Sequence, residues 1–385
     1  MATAQRGVDA VLKEIEASNT TLNALREQTE AQKLENRTGI YLAGPEISYA
    51  RLWGNPGGIG RRTDLSVTQT FDIPTLTGMK SRMAAGQNSL AGLQYRSERM
   101  ALLLKARVYC LELIYCNALY RELSVRLGHA AAIAEGYKTR LEQGDISRPE
   151  YNKVLLNLAA AEGEFRRVEV ERDALRAELK RLNGGTEISL EDDRYGEVAF
   201  PPDFDGWYAR VEQQYPALAC ARQETALSRQ QVSLNKAANL PVFSAGYMSE
   251  KVVGQQYQGL TLGVSIPLWE NKNRVRQARA AVRAAESRQA DREEQFRNRL
   301  QALYSRAAGL RLTAEGYRRA LDASNHTELL KKALDAGEIS LLDYLVETGL
   351  YYDAIRRTLE TERDFQIAFA ELSAVDSDKW LMVNG

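Results

Sequence analysis

The residues able to do chemistry are few and scattered. Three cysteines and two histidines occur in 385 residues. Cys110 and Cys116 are six apart on a predicted helix, about 600° of rotation, so they point to different faces. Cys220 is remote from both. Neither a zinc spacing nor a disulfide framework results, and all three read as small buried residues. His129 and His326 have no ligating neighbours in sequence. A G-x-S-x-G elbow and a phosphate loop are both lacking. The glycine-rich "GNPGGIG" from Gly54 lies between two predicted strands and reads as a flexible loop. Paired Glu and Asp on the helices read as solvated faces. The chain is therefore expected to be no enzyme, with no metal site and no cofactor.

Charge excludes a further class. Lys plus Arg equals 51 and Asp plus Glu equals 51, a formal charge of zero. A nucleic-acid binder shows a net basic surface instead. No run approaches the ~20 apolar residues of a membrane helix, and the longest candidates resemble "MALLL" at Met100–Leu104. The amino terminus, "MATAQRGVDAV", has no apolar signal core. Either the protein is cytoplasmic or a signal peptide is absent from this chain.

The informative motif is a turn that occurs twice. "RLEQGDISRPEYNKVLL" begins at Arg140 and "ALDAGEISLLDYLVETGL" at Ala333. Both contain Leu-x-x-Gly-acid-Ile-Ser. Gly144, Ile146, Ser147 and Tyr151 recur 193 residues later as Gly337, Ile339, Ser340 and Tyr344. At the same offset "FDIP" ending at Pro74 meets "VSIP" ending at Pro267, and "AEL" at Ala177 meets "AEL" at Ala370. An offset of 196 pairs Pro45 with Pro241. The chain reads as a first repeat over 8–184, a Gly-, Pro- and acid-rich linker over 185–204, a second repeat over 205–376 and a short tail over 377–385. That period is too long for a solenoid.

Around each turn the pattern is helical. No proline lies between Pro74 and Pro149 or after Pro267, so very long helices are permitted. A helix from Thr75 to Gln143 would span roughly 100 Å. From Val275 to Leu321 apolar positions recur at spacings of 3 and 4, with an extra 4 from Phe296 to Leu300. This is a heptad seam with a stutter, made imperfect by Gln289 and Arg292. Gly144 and Gly337 suit the positive φ of a helix end. Ser147 with Glu150, and Ser340 with Asp343, have the spacing of capping boxes. Each motif is thus a tight tip between two helices.

Each repeat also carries two strands. In "TDLSVTQTFDIP", Leu65, Val67, Phe71 and Ile73 share one face, with Gln69 an exception. In "LTLGVSIP", Leu260, Leu262, Val264 and Ile266 do the same. "PEISYARLW" and "PVFSAGYMS" precede them, joined by "GNPGGIGRR" and "EKVVGQQYQG". Strict alternation means one wet and one apolar face. Four strands leave two open edges, and closing a ring removes them. An apolar outside, with Tyr49, Trp53 and Trp269 near strand ends, fits a membrane barrel.

This order of elements, their duplication and the motifs "FDIP", "VSIPLWENKNRVRQARA" and "ALDAGEISLLDYLVETGLYYDA" resemble the TolC-like outer-membrane factors of Gram-negative bacteria. The resemblance covers residues 8–376. It implies a mainly α fold with a small β part, assembled as a homotrimer. A twelve-stranded β-barrel in outer-membrane lipid would continue as an α-helical barrel in the periplasm. It implies a passive exit duct for small molecules or metal ions. An inner-membrane pump of the resistance-nodulation-division type would drive export through a periplasmic adaptor. The adaptor would read Leu141, Gly144, Asp145, Ile146 and Ser147, and Leu334, Gly337, Glu338, Ile339 and Ser340. Asp343 matches an acidic position of the family's narrowing. The next acidic place is Val346 here, with Glu347 beside it. A protein-secretion duct of the same family and a soluble coiled-coil scaffold stay open as alternatives, although a rod has no use for alternating strands.

Overall fold

The computed structural model describes residues 7–71, 74–269, 271–323 and 327–376; Asp72, Ile73, Glu270, His326 and the tail 377–385 lie outside them. The first repeat holds α1 (Val8–Ser18), α2 (Thr20–Glu35), β1 (Glu46–Trp53), β2 (Arg61–Phe71), α3 (Pro74–Glu142) and α4 (Arg148–Leu182). The second holds α5 (Phe204–Gln214), α6 (Pro216–Ala237), β3 (Val242–Val252), β4 (Gln255–Ser265), α7 (Arg274–Ala323), α8 (Thr327–Asp335) and α9 (Leu341–Ser373). The protein is mainly helical with one small antiparallel sheet. Two compact units form, and neither is a repeat. One takes Met1–Asn23, Glu98–Tyr215 and Phe296–Gly385; the other takes Ala24–Ser97 and Pro216–Gln295. Each draws on both repeats, because α3 and α7 each contribute residues to both units.

The duplication is visible in what is buried. Val11, Leu12 and Ile15 of α1 are buried, and so are Trp207, Tyr208 and Val211 of α5, 196 residues on. Leu175, Leu179 and Leu182 of α4 are buried, as are Ala368, Leu372 and Val375, 193 residues on. Apolar residues at i, i+3 or i+4 make one stripe per helix, and that stripe faces the core. The α7 seam behaves so: Ala278, Ala285, Phe296, Leu300, Ala307 and Ala314 are buried. Its polar member Arg292 is exposed and pairs with Glu224 of α6 at 2.9 Å. The breaks that separate α1 from α2 and α5 from α6 differ in chemistry. Asn19 Oδ1 accepts the Leu22 N–H at 2.9 Å, and Asn19 Nδ2 donates to the Leu182 carbonyl at 2.7 Å. In the second copy Pro216 opens α6, where its missing N–H costs nothing.

The segment 185–204 is not a free tether. Leu190 lies in one core with Val11, Ile15, Cys110, Leu113 and Leu179. Phe200 packs with Phe365 and Ala307 in another. Buried Asn117 of α3 fastens the segment by donating to the carbonyls of Leu190 (3.1 Å) and Asp192 (3.0 Å). Its own Oδ1 accepts from Arg172 Nε at 2.9 Å. Tyr195 donates to the Leu111 carbonyl and Tyr304 to the Pro201 carbonyl. Gly, Pro and acids read as a linker because they shape an irregular backbone, yet apolar residues between them are buried.

The four strands form one sheet in the order β1-β2-β3-β4, all antiparallel. β3 and β4 run further than their polar composition suggests. Glu250 pairs with Tyr257 and Lys251 with Gln256. The expected ten-residue connection shrinks to Val253 and Gly254, both at positive φ, the conformation of a two-residue hairpin turn.

Removing the Asn117 side chain should leave two carbonyls and Arg172 without their partner. Asn117→Ala is expected to cost about 1–3 kcal/mol in denaturant unfolding and to expose Arg194 to trypsin. Parental stability with no new cleavage would show that the segment is held by its apolar contacts alone.

Candidate functional site: the helical tips and the sheet face

Two surfaces carry the features singled out in the sequence. The first is the pair of tips. At the end of α3, Gly144 has φ +81°. Its N–H donates to the Leu141 carbonyl at 3.1 Å, and the Asp145 N–H donates to the Arg140 carbonyl at 2.9 Å. At the end of α8, Gly337 has φ +75°. Its N–H reaches Leu334 at 3.0 Å, and that of Glu338 reaches Ala333 at 2.9 Å. These are two copies of one helix-terminating hydrogen-bond pair, which satisfies carbonyls the helix leaves orphaned. A side chain at either glycine would be strained at that φ.

Both following helices start with a capping box. Ser147 N–H donates to Glu150 Oε2 at 2.9 Å, while Ser147 Oγ accepts the Glu150 N–H at 3.4 Å. The Ser147 backbone N–H, and next the Ser147 hydroxyl donating to Oε2 at 2.9 Å, hold the Glu150 carboxyl below its usual range. The box is therefore complete above that range and is lost as pH falls through it. In the second tip Ser340 Oγ donates to Asp343 Oδ2 at 2.6 Å and accepts the Asp343 N–H at 3.1 Å. Asp343 is exposed and committed to this cap; Glu347, one turn on, is exposed as well.

The tips are not equivalent in packing. Ile133 and Ala134 of α3, Val154 of α4, Leu334 of α8 and Tyr344 of α9 form one buried cluster. Tyr344 is 3 % exposed, whereas its counterpart Tyr151 is half-buried. Ile339 packs against this cluster, and that contact accounts for an isoleucine in an exposed turn. Gly144, Asp145, Ser147, Gly337, Glu338 and Ser340 are exposed, and Leu141 and Ile146 are half-buried. Leu334 is buried, so it supports the tip surface from beneath rather than forming part of it. One feature escaped the sequence reading: Leu342, Val346 and Leu350 of α9 are all exposed. Their i, i+4, i+8 spacing puts them on one face, a signal that the heptad count along α7 did not cover.

The second surface is the sheet. Cross-strand partners share a face, so the register sorts every side chain. Phe71, Phe243 and Val264 fall in one row, Gln69, Ala245 and Leu262 in the next, then Ile47, Val67, Tyr247 and Leu260. These three rows form a band that is apolar apart from Gln69, and it is open: Leu260 and Leu262 are each 87 % exposed. From Leu260 to Ile266 it runs about 20 Å along the strand. Aromatic residues stand at its borders, with Tyr49 and Trp53 toward the hairpins and Trp269 past β4, all exposed. The opposite face holds Ser66, Thr68, Thr70, Ser244, Gly246, Thr261 and Gly263. A Cβ on Gly246 would sit 2.5 Å from the Val67 carbonyl oxygen, and one on Gly263 would meet Ser244 Oγ. Glycine keeps that face smooth.

β1 and β4 are the two edges of the sheet. They run in opposite directions, so β4 of one copy can pair with β1 of another and continue the antiparallel order. Among the described residues no group of three His, Cys, Asp or Glu is placed to hold a metal. No described helix is long and apolar enough to cross a membrane. The three cysteines are buried. Burial pushes the Cys110 thiol up to about 12 and the Cys116 thiol up to about 11, so neither is a nucleophile near neutral pH.

No protein-family model matches the sequence, and no curated protein matches it. Solved structures do. A membrane protein from Pseudomonas aeruginosa superposes with a TM-score of 0.81 at 15 % identity, covering 96 % of this chain and 89 % of that one. The Campylobacter jejuni CmeC outer membrane channel gives 0.78 at 14 %, covering 96 % and 85 %. The outer membrane protein VceC of Vibrio cholerae gives 0.74 at 13 %, covering 96 % and 95 %.

Tyr344→Ala should open a cavity between the four tip helices and cost about 3–5 kcal/mol in denaturant unfolding. Leu156→Ala, at an exposed site on α4, should leave stability within about 0.5 kcal/mol of the parent. Equal effects would mean that the tip has no core.

From its duplicated helices, its four-stranded sheet and these superpositions, the chain has the fold of the TolC-like outer-membrane factors.

Proposed function

We propose that this chain is the outer-membrane exit channel of a tripartite efflux system, a passive duct with no catalytic step. The observation that carries this reading is the sheet. It has an exposed apolar band on one face, mostly serine, threonine and glycine over the same stretch of the other, and two open edges. In water such a face forgoes burial worth about 1.5–3 kcal/mol for each large apolar side chain. In lipid the face is solvated, but each unpaired edge group then costs several kcal/mol. Both demands are met together when copies of the chain pair β4 to β1 around a closed ring. Three copies supply twelve strands, an even number in the range of such barrels. The polar face then lines a water-filled lumen, and α3, α4, α7 and α9 extend the duct on the periplasmic side.

In this reading energy comes from an inner-membrane pump, and a periplasmic adaptor couples pump to duct. The adaptor would dock on the exposed backbone and side chains of Gly144, Asp145, Ser147, Gly337, Glu338 and Ser340, with Ile146 and Ile339 beside them. Opening would shift the α8–α9 hairpin between two packings and be biased by adaptor contact. Asp343 and Glu347 would set charge at the narrowing. The substrates would be small molecules or metal ions, selected by the pump.

Membrane fractionation tests the reading. The assembled protein should be released only by detergent and should size as three chains; a soluble monomer or dimer in plain buffer would overturn it. Within that assembly, Asp145→Lys combined with Glu338→Lys should weaken adaptor pull-down about tenfold or more while the trimer remains. Unchanged pull-down and efflux would remove the tips from the docking role.

A further inference from the structure

The four strands contain seven charged residues, and the register confines every acid to one face. Glu46, Arg62, Asp64 and Glu250 lie on the small polar face. Arg51, Arg61 and Lys251 lie on the apolar face, which has no acid. β4 carries no charge at all. The two sets also differ in pairing. Arg62 is neutralised by Asp64 at 2.9 Å and by Glu250 at 3.1 Å. Arg51, Arg61 and Lys251 are exposed, and none has a hydrogen bond or ion pair among the described residues.

Their positions are tight. Arg51 pairs with Thr63, and Thr63 pairs with Lys251, so both cations flank one threonine in a single row. Two strand spacings separate them, about 9–10 Å, well within the joint reach of an arginine and a lysine side chain. Arg61 sits one row nearer the hairpin turns, opposite the exposed ring of Trp53. Toward the helices the next rows are Tyr49 with Leu65, then Ile47 with Val67, Tyr247 and Leu260. The cations therefore stand at the hairpin border of the apolar band and not within it.

We propose that Arg51, Arg61 and Lys251 form a binding site for the phosphate-bearing headgroup of a membrane lipid whose acyl chains lie along the apolar band. The proposal rests on the channel reading given above and adds the lipid chemistry at one rim of its barrel. Arginine matches phosphate with a planar fork of donors, and clustered basic residues at a bilayer surface each add attraction to anionic lipid. Neighbouring copies do not cancel this charge. Ring closure would bring β4 beside β1, and β4 offers Gln256 and Gln258 on this face, which are neutral hydrogen-bonding groups. A free phosphate would meet the same cations without the band, so retention should require the acyl chains.

The test uses the detergent-purified assembly with phosphatidic acid, phosphatidylcholine or inorganic phosphate, read by native mass spectrometry. The parent should retain phosphatidic acid about tenfold better than phosphatidylcholine, less so at high salt. Arg51→Gln, Arg61→Gln and Lys251→Gln combined should abolish that preference and leave phosphatidylcholine retention unchanged. Arg62→Gln should behave as the parent. Equal binding of both lipids by a detergent-extracted parent would overturn the site and leave the channel reading intact. So would a preference that survives the triple substitution, or one lost equally in Arg62→Gln. Displacement of phosphatidic acid by millimolar inorganic phosphate would replace the lipid site with a free-anion pocket. A parent that needs no detergent would overturn the channel reading itself.

Discussion

The sheet has two faces of opposite chemistry, one with an open apolar band and one lined over the same rows mainly by serine, threonine and glycine, and the proposed channel follows from that constraint. One face presents Leu260, Leu262, Val264, Ile47 and Phe243 to the outside. The other presents serine, threonine and glycine. A water-soluble protein buries such a face under a helix layer, but among the described residues no element covers this one. The helices bury their apolar stripes elsewhere, in clusters around Ile15 and Leu179, around Phe365, and around Tyr344. In the proposed channel the face would meet lipid and the edges would meet other copies. The proposed channel is the arrangement that meets both requirements.

Duplication supplies the even, antiparallel sheet cheaply. One helix–strand–strand–helix unit gives a hairpin, and its repeat gives a second hairpin running in the same sense. β2 then pairs with β3 across the copies as readily as β1 with β2. The two tips inherited the same terminating glycine and the same serine cap. They have diverged in packing, with Tyr344 taken into the core and Tyr151 only half-buried. A surface that looks twofold in sequence is thus two related surfaces with different support, and the proposed adaptor would meet them as distinct sites.

Much of this was legible because local chemistry and tertiary structure agree. Alternation in β2 and β4 placed their apolar faces, and spacings of 3 and 4 placed the buried side of α7. Gly144 and Gly337 marked helix ends, where only a residue without Cβ accepts the backbone freely. Other features were hidden for equally physical reasons. The segment 185–204 has linker composition, and only Asn117, distant in sequence, shows that it is fastened. The hairpin after Ser249 reads as loop because Glu250 and Lys251 are polar. Cross-strand pairing with Tyr257 and Gln256 carries the ladder through them. Leu334 belongs to a repeated surface motif, yet a cluster drawn from four helices buries it. The sorting of charges between the two faces of the sheet requires the register, which composition does not reveal.

The central claim is that the apolar sheet face lies in lipid while the opposite face meets water. The buried, weakly reactive native cysteines allow single new cysteines to be labelled on β4. A fluorophore at Leu262→Cys and one at Thr261→Cys, adjacent in sequence, should report opposite surroundings in reconstituted membranes. Brominated acyl chains should quench the label at 262 and aqueous iodide the label at 261. Iodide quenching of both positions alike, with no effect of brominated lipid, would contradict the account.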